Sequence, residues 1–346
     1  MSRPATHPLW QLLLMRLRAL WREPSALFWI FGFPILMSIA LGLAFRNQGA
    51  ARLTVAVVEG PDSPRALAAL AATPGLRPEA HSEAEARRAL ATGKVALVVA
   101  PGQPLRLVVD PTIPEGRTAR LLVLETLQRQ AGRLDVLQVQ EEHVTVPGRR
   151  YIDFLIPGLL GFGLMSSSVW GLGWGLVNMR TGKLLKRLVA TPMRKADLLA
   201  SFVLSRLFLA VLETGFFLTF ARLLFDVRVA GSLLSFVLVA AAGALSFGGI
   251  GLLVASRAQN TETAGGLMNL VTLPMTVLSG VFFSASHFPG WMQPLVRALP
   301  LTAVNDALRA ISVDAAPLWT QGGPLLVLLL WGAAAFAVAL RIFRWT

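Results

Sequence analysis

The strongest constraint in this sequence is a set of apolar runs about 20 residues long, the length a helix needs to cross roughly 30 Å of hydrocarbon. They lie at 26–45, 154–178, 198–221, 231–255, 264–283 and 323–343. Hydrocarbon offers no hydrogen-bond partner, so such runs must satisfy their backbone groups internally, as helices do. The expected fold class is a mainly α-helical polytopic membrane protein with six transmembrane helices. Pro34 lies inside the first run and is expected to kink it. That run is too long for the apolar part of a secretory signal. It ends in Ala44-Phe45-Arg46, not in a small-residue cleavage site, so it is expected to stay as a span.

Three segments break the pattern. Residues 1–25 hold Leu9, Leu13, Leu17 and Leu20 at helical spacing, with Gln11, Arg18 and Arg22 on another face. This predicts an amphipathic helix lying in the membrane interface. Residues 46–150 hold 14 Lys/Arg and 11 Asp/Glu, an ordinary soluble balance. Strand-like runs at Leu53–Val58, Val95–Val99 and Leu105–Val109 alternate there with helical stretches at 63–72, 82–91 and 116–142. The last is expected to bury Leu124, Leu127, Ala131, Leu134 and Leu137. The segment reads as a small α/β domain inserted after the first span. Residues 284–322 are too polar and proline-rich for a span, and short interfacial or re-entrant helices are expected, with Trp291 and Trp319 at headgroup level. The rest of 151–346 is a five-helix transmembrane domain.

Charge orients the spans. With both termini on the cytoplasmic side, the short inside segments carry 13 Lys/Arg and the short outside segments carry 4. The positive-inside rule selects that orientation and puts 46–150 outside. The net charge of +13 therefore collects at one membrane face, where anionic headgroups answer it. Nucleic acid is not expected as a partner.

Chemistry is sparse. Without cysteine there is no disulfide, thiolate nucleophile or cysteine-bound metal. His7, His81, His143 and His287 have no metal-ligand spacing, and none lies in a span to activate Ser166, Ser167 or Ser168. Neither Gly93-Lys94 nor Gly182-Lys183 completes a phosphate-binding loop. No catalytic, cofactor or metal residues are expected, and the chain is not expected to be an enzyme by itself. Two features stand out. In the loop 180–197, Leu184, Leu185, Leu188 and Val189 make an apolar stripe beside Lys183, Lys186 and Arg187, ended by Thr191-Pro192. It reads as a docking helix or as a basic turn that sets topology. In the third span, Arg206 and Glu213 share a face about 10.5 Å apart along the axis. They fit a polar path, an ion-gradient coupling site or a buried structural pair. Gly171 and Gly175 form a GxxxG pair suited to close helix packing.

Two stretches carry a family resemblance. One is Asp153-Phe154-Leu155-Ile156-Pro157-Gly158, followed by Arg180, Lys186-Arg187-Leu188 and Ala190-Thr191-Pro192. The other runs from Leu278-Ser279-Gly280-Val281-Phe282-Phe283 through Phe288-Pro289-Gly290-Trp291 to Leu299-Pro300-Leu301-Thr302 and Asp306-Ala307-Leu308-Arg309. The chain resembles the permease subunits of type-2 ABC exporters, in particular the multidrug-export-like subgroup with a large extracytoplasmic domain. The resemblance implies a bacterial cytoplasmic-membrane exporter in which two permeases, identical or different, pair over two P-loop ATPase subunits. ATP and magnesium would be bound by those partners. Lys183, Leu184, Lys186, Arg187, Leu188, Thr191 and Pro192 would couple to the ATPase. A cavity between the second and fifth spans of the two protomers would carry drugs, lipids or lipid-linked compounds, with Leu278, Phe282 and Phe283 as an outer gate. The alternatives are an ion-gradient carrier using Arg206 and Glu213, and a membrane-anchored sensor presenting 46–150 outside.

Overall fold

The computed structural model describes residues 8–44, 52–102, 104–110, 114–133, 150–184, 187, 195–258 and 260–342. The chain divides into two compact units, Met1–Arg46 with Thr145–Thr346, and Asn47–Val144.

The smaller unit is an α/β layer structure. Strands β1 (Leu53–Val58), β2 (Leu76–His81), β3 (Leu97–Ala100) and β4 (Arg106–Val108) form one sheet in the order β2-β1-β3-β4. β1 pairs parallel with β2 and β3, while β4 returns antiparallel along β3. Helices α3 (Ser63–Ala71) and α4 (Glu83–Ala91) make the parallel crossovers, and α5 (Pro114–Gln130) follows β4. The period-2 alternation of a strand divides β1 between two cores. Val55 and Val57 pack with Leu70, Leu97, Ala119 and Val123, whereas Ala56 packs with Ala86, Val95 and Val98. Residues 76–81 lack a strand pattern in the sequence, because Leu76-Arg77-Pro78-Glu79-Ala80-His81 is charged and contains proline. As an edge strand β2 tolerates Pro78, opposite Val55. α5 is shorter than its sequence suggested: it ends at Gln130, and Gly132 takes a positive φ of 93°. Its core stripe is Gly116, Ala119 and Val123, so Ala131 is exposed and Leu124 only half-buried. Leu134 and Leu137 lie outside the described residues.

The larger unit is helical. α1 is Pro8–Trp21, and the apolar helix α2 is Phe28–Ala44. Then come α6 (Tyr151–Thr181), α7 (Lys195–Phe225), α8 (Leu233–Arg257), α9 (Thr261–Leu278), α10 (Gln293–Ala298), α11 (Pro300–Ser312) and α12 (Gly322–Ile342). Helix α6 sits at the centre: 83% of its apolar window is buried, against 22% for the window that includes α12. Small residues let α6 and α8 cross closely, because a Cβ on Gly251 would lie 2.9 Å from the Val169 carbonyl oxygen.

Among the described residues, four helical segments are long and apolar enough to cross a membrane: Tyr151–Thr181, Ala200–Phe225, Leu233–Arg257 and Leu318–Ile342. Helix α2 is apolar but shorter, and its first turn, Phe28–Gly32, is π-helical just before Pro34. Helix α9 is diluted by Glu262 and Asn269 and stops at Leu278. The expected fifth span is therefore shorter than 264–283, because Gly280 takes φ 68° and turns the chain. Within 284–322, α11 is buried on most sides, from Pro300 to Ser312. Trp291 and Trp319 are exposed.

Candidate functional site

Three places in the helical unit hold the residues singled out from sequence. The first is the C-terminal end of α6. The helix closes with Gly182 N–H donating to the Asn178 carbonyl at 2.9 Å, and Lys183 takes φ 56°. Lys183, Leu184 and Arg187 are all exposed, which presents an apolar side chain between two cations. Lys186, Leu188, Thr191 and Pro192 lie outside the described residues, as does most of the expected docking stripe. Arg180 anchors this end: its Nη1 donates to the carbonyls of Ala255 at 3.2 Å and Ala258 at 3.0 Å, at the C-terminus of α8. A cation there also complements the helix dipole.

Helix α1 is fixed to the same region. Leu12 is buried, and Arg16 reaches Ser201 Oγ at 3.3 Å and Met179 Sδ at 3.9 Å. The Arg16 guanidinium also lies 3.1 Å from the centre of the Phe202 ring, a cation–π contact. Burial pushes the Arg16 guanidinium down to about 9. The packed face of α1 therefore runs through Leu12 and Arg16. Of the expected stripe Leu9, Leu13, Leu17 and Leu20, Leu13 and Leu17 are half-buried, and the side chains of Leu9 and Leu20 lie outside the described residues.

The second place is the Arg206–Glu213 pair. The two bridge their own helix: Arg206 Nη2 lies 3.2 Å from Glu213 Oε2. Helix α6 completes the cluster, with Arg206 Nη2 donating to the Leu164 carbonyl at 3.3 Å and Ser167 Oγ donating to Glu213 Oε2 at 3.0 Å. Exposure is 2% for Arg206 and 3% for Glu213. Gly163 makes the room, since a Cβ there would lie 2.8 Å from Glu213 Oε1. Arg206 borders a cavity of about 20 Å³ between α6, α7, α8 and α12, too small for a transported molecule.

The third place is the turn after α9. Leu278 is the last residue of that helix, so Phe282 and Phe283 lie beyond it. Phe282 packs on the core, while Phe283 is exposed and meets the Phe288 ring at 5.8 Å. Four successive carbonyls of this turn each accept a hydrogen bond from a side chain. Asn305 Nδ2 donates to Ser279 O at 3.0 Å, Arg309 Nη2 to Gly280 O at 2.6 Å and Val281 O at 3.5 Å, and Tyr151 Oη to Phe282 O at 2.9 Å. Arg309 Nε also donates to Phe154 O at 3.1 Å, and the guanidinium lies 3.6 Å from the Phe154 ring centre. The sequence marks Arg309 only as part of the family motif and as an outside cation and gives Asn305 and Tyr151 no role, although Asn305 and Arg309 stand four residues apart.

The geometry is that of a helical membrane protein with side-chain ties at both ends of its central helix and a buried ion pair between them. A sequence profile described as ABC-2 family transporter protein matches residues 24–341. The chain belongs to the ABC-2 transporter family. Two relatives of this ABC-2 protein agree. It is 24% identical over 177 residues to the linearmycin resistance permease protein LnrN of Bacillus subtilis strain 168, covering 51% of this chain and 46% of LnrN. It is 26% identical over 201 residues to nodulation protein J of Rhizobium meliloti strain 1021, covering 58% of this chain and 76% of that protein. The match to LnrN thus spans less than half of LnrN's own length.

Proposed function

We propose that this ABC-2 protein is the membrane permease subunit of an ATP-driven exporter. A separate P-loop ATPase supplies the energy, and a second permease protomer completes the pathway. The observation that carries this reading is the family match over 24–341 in a chain whose sequence holds no phosphate-binding loop. The exporter sits in the bacterial cytoplasmic membrane with both termini inside and the 46–150 domain outside. Six spans cross the membrane, α2 and α9 being the two short ones.

Each region then has a task. The exposed Lys183, Leu184 and Arg187 begin the coupling surface, and the rest of 180–197 continues it. Helix α1, clamped by Arg16, shares the load. The second protomer covers faces that this chain leaves open. On α9, Gly266 meets nothing within 4 Å and Leu270, Leu273 and Val277 are exposed; on α6, Gly171 and Gly175 likewise meet nothing within 4 Å. Alternating access opens a cavity between these faces, and Leu278, Phe282 and Phe283 close its outer end. An apolar cavity suits hydrophobic or amphiphilic cargo: drugs, lipids or lipid-linked compounds. A resistance permease among the relatives supports an export direction.

The ion pair supports bracing over gradient coupling. Arg206 and Glu213 lie within ion-pair distance in one chain and both are buried. Glu213→Gln is therefore expected to leave the external-pH dependence of export unchanged; a shifted profile would favour the carrier reading. The permease assignment is tested by extraction under native conditions. A P-loop ATPase is expected to co-purify with the chain, and repeated isolation without one would count against the proposal.

A further inference from the structure

We propose that the corner between α1 and α2 is a binding site for the phosphate-bearing headgroup of an anionic phospholipid. The inference rests on the reading of α1 as an interfacial helix. The three arginines of the α1 corner have different fates. Arg16 is committed to the protein, through Ser201, Met179 and Phe202. Arg18 and Arg22 lie one turn apart and are exposed, and neither side chain has an ion-pair or hydrogen-bond partner among the described residues. Their charge is available, and it is held in place. Leu12 and Arg16 fasten a different face of α1 to α7, which holds the pair in its exposed position.

One open face of α1 presents Leu14, Leu17 and Trp21 beside Arg18 and Arg22. Apolar and cationic side chains lie next to each other there, the complement of an acyl chain ending in a phosphodiester. Guanidinium forks bind phosphate oxygens in pairs. The leucines offer surface to the first methylenes. Trp21 is 72% exposed and Trp29, across the corner, is 61% exposed. Tryptophans are enriched at headgroup depth. Charge complementarity selects the lipid over a zwitterionic one.

The test uses the purified full chain, without ATPase, in nanodiscs of phosphatidylcholine. Either dibromo-phosphatidylglycerol or dibromo-phosphatidylcholine is added, and the Trp21 signal is taken as wild type minus Trp21→Phe. Dibromo-phosphatidylglycerol is expected to quench Trp21 at a mole fraction about 25-fold lower than its zwitterionic counterpart. Each arginine contributes roughly fivefold to that preference. Arg18→Gln with Arg22→Gln should bring the two lipids together; both residues are exposed, so the fold is expected to survive. Equal quenching by both lipids in wild type overturns the site and leaves the interfacial helix standing. No quenching by either overturns the interfacial reading and the site with it. If the double variant keeps its preference for dibromo-phosphatidylglycerol, the lipid assignment to Arg18 and Arg22 fails.

Discussion

Removing one charge from the Arg206–Glu213 pair offers a quantitative handle on the helical unit. Glu213→Gln keeps the shape of the side chain and its hydrogen bond with Ser167, but leaves the Arg206 guanidinium, 2% exposed, without a counter-charge. At the observed 3.2 Å, the lost Coulomb attraction is about 5 kcal/mol for an effective dielectric of about 20. Breaking a buried pair by removing one partner typically costs about 3–5 kcal/mol, whereas replacing both partners is often neutral. The expected loss for Glu213→Gln is therefore about 3–5 kcal/mol, and Arg206→Met with Glu213→Gln should return to within about 1 kcal/mol of wild type. Unfolding in mixed dodecyl maltoside and sodium dodecyl sulfate micelles, followed by tryptophan fluorescence, measures both. A single variant as stable as wild type, or a double variant worse than the single, would refute the bracing argument. Either result would mean that water or a second protomer reaches the pair.

Other expectations follow from the geometry. Gly161→Ala places a methyl against Asn305 Oδ1 and should break the Asn305 bond to Ser279 O, costing about 1–3 kcal/mol in the same assay. Arg309→Lys loses the fork that joins Phe154 O to Gly280 O and should destabilise by about 1–3 kcal/mol, with increased hydrogen exchange over 279–283. Unchanged exchange there would remove Arg309 from its role in holding the turn after α9. Leu184→Asp with Leu188→Asp should uncouple ATP hydrolysis from transport without changing the unfolding midpoint; unaltered transport would sink the coupling assignment.

Much of this architecture is legible from periodicity. Apolar runs locate the long helices because crossing a bilayer demands continuous hydrophobicity, and alternating Val and Ala in Leu53–Val58 marks a strand buried on both faces. The failures have physical causes. β2 is hidden because an edge strand tolerates Pro78 and charge. The end of α9 is hidden because a positive φ at Gly280 is a tertiary outcome, stabilised by Asn305, Arg309 and Tyr151 from distant segments. For the candidate sites, spacing placed Arg206 and Glu213 on one face, and only coordinates showed that they bond each other and that Ser167 and Leu164 join them. Arg309 entered the charge count as one outside cation; its bonds to Phe154 O and Gly280 O come from a fold that no local pattern encodes.

The central claim is that this chain supplies the path and another chain supplies the ATP hydrolysis. The most direct measurement is ATP-dependent export by the permease reconstituted into liposomes with its co-purified ATPase, compared with each protein alone. Export of an amphiphilic probe is expected only with both proteins and ATP present, and it should stop when the ATPase loses its phosphate-binding lysine. Transport by the permease alone driven by a proton or ion gradient, and indifferent to ATP, would contradict it.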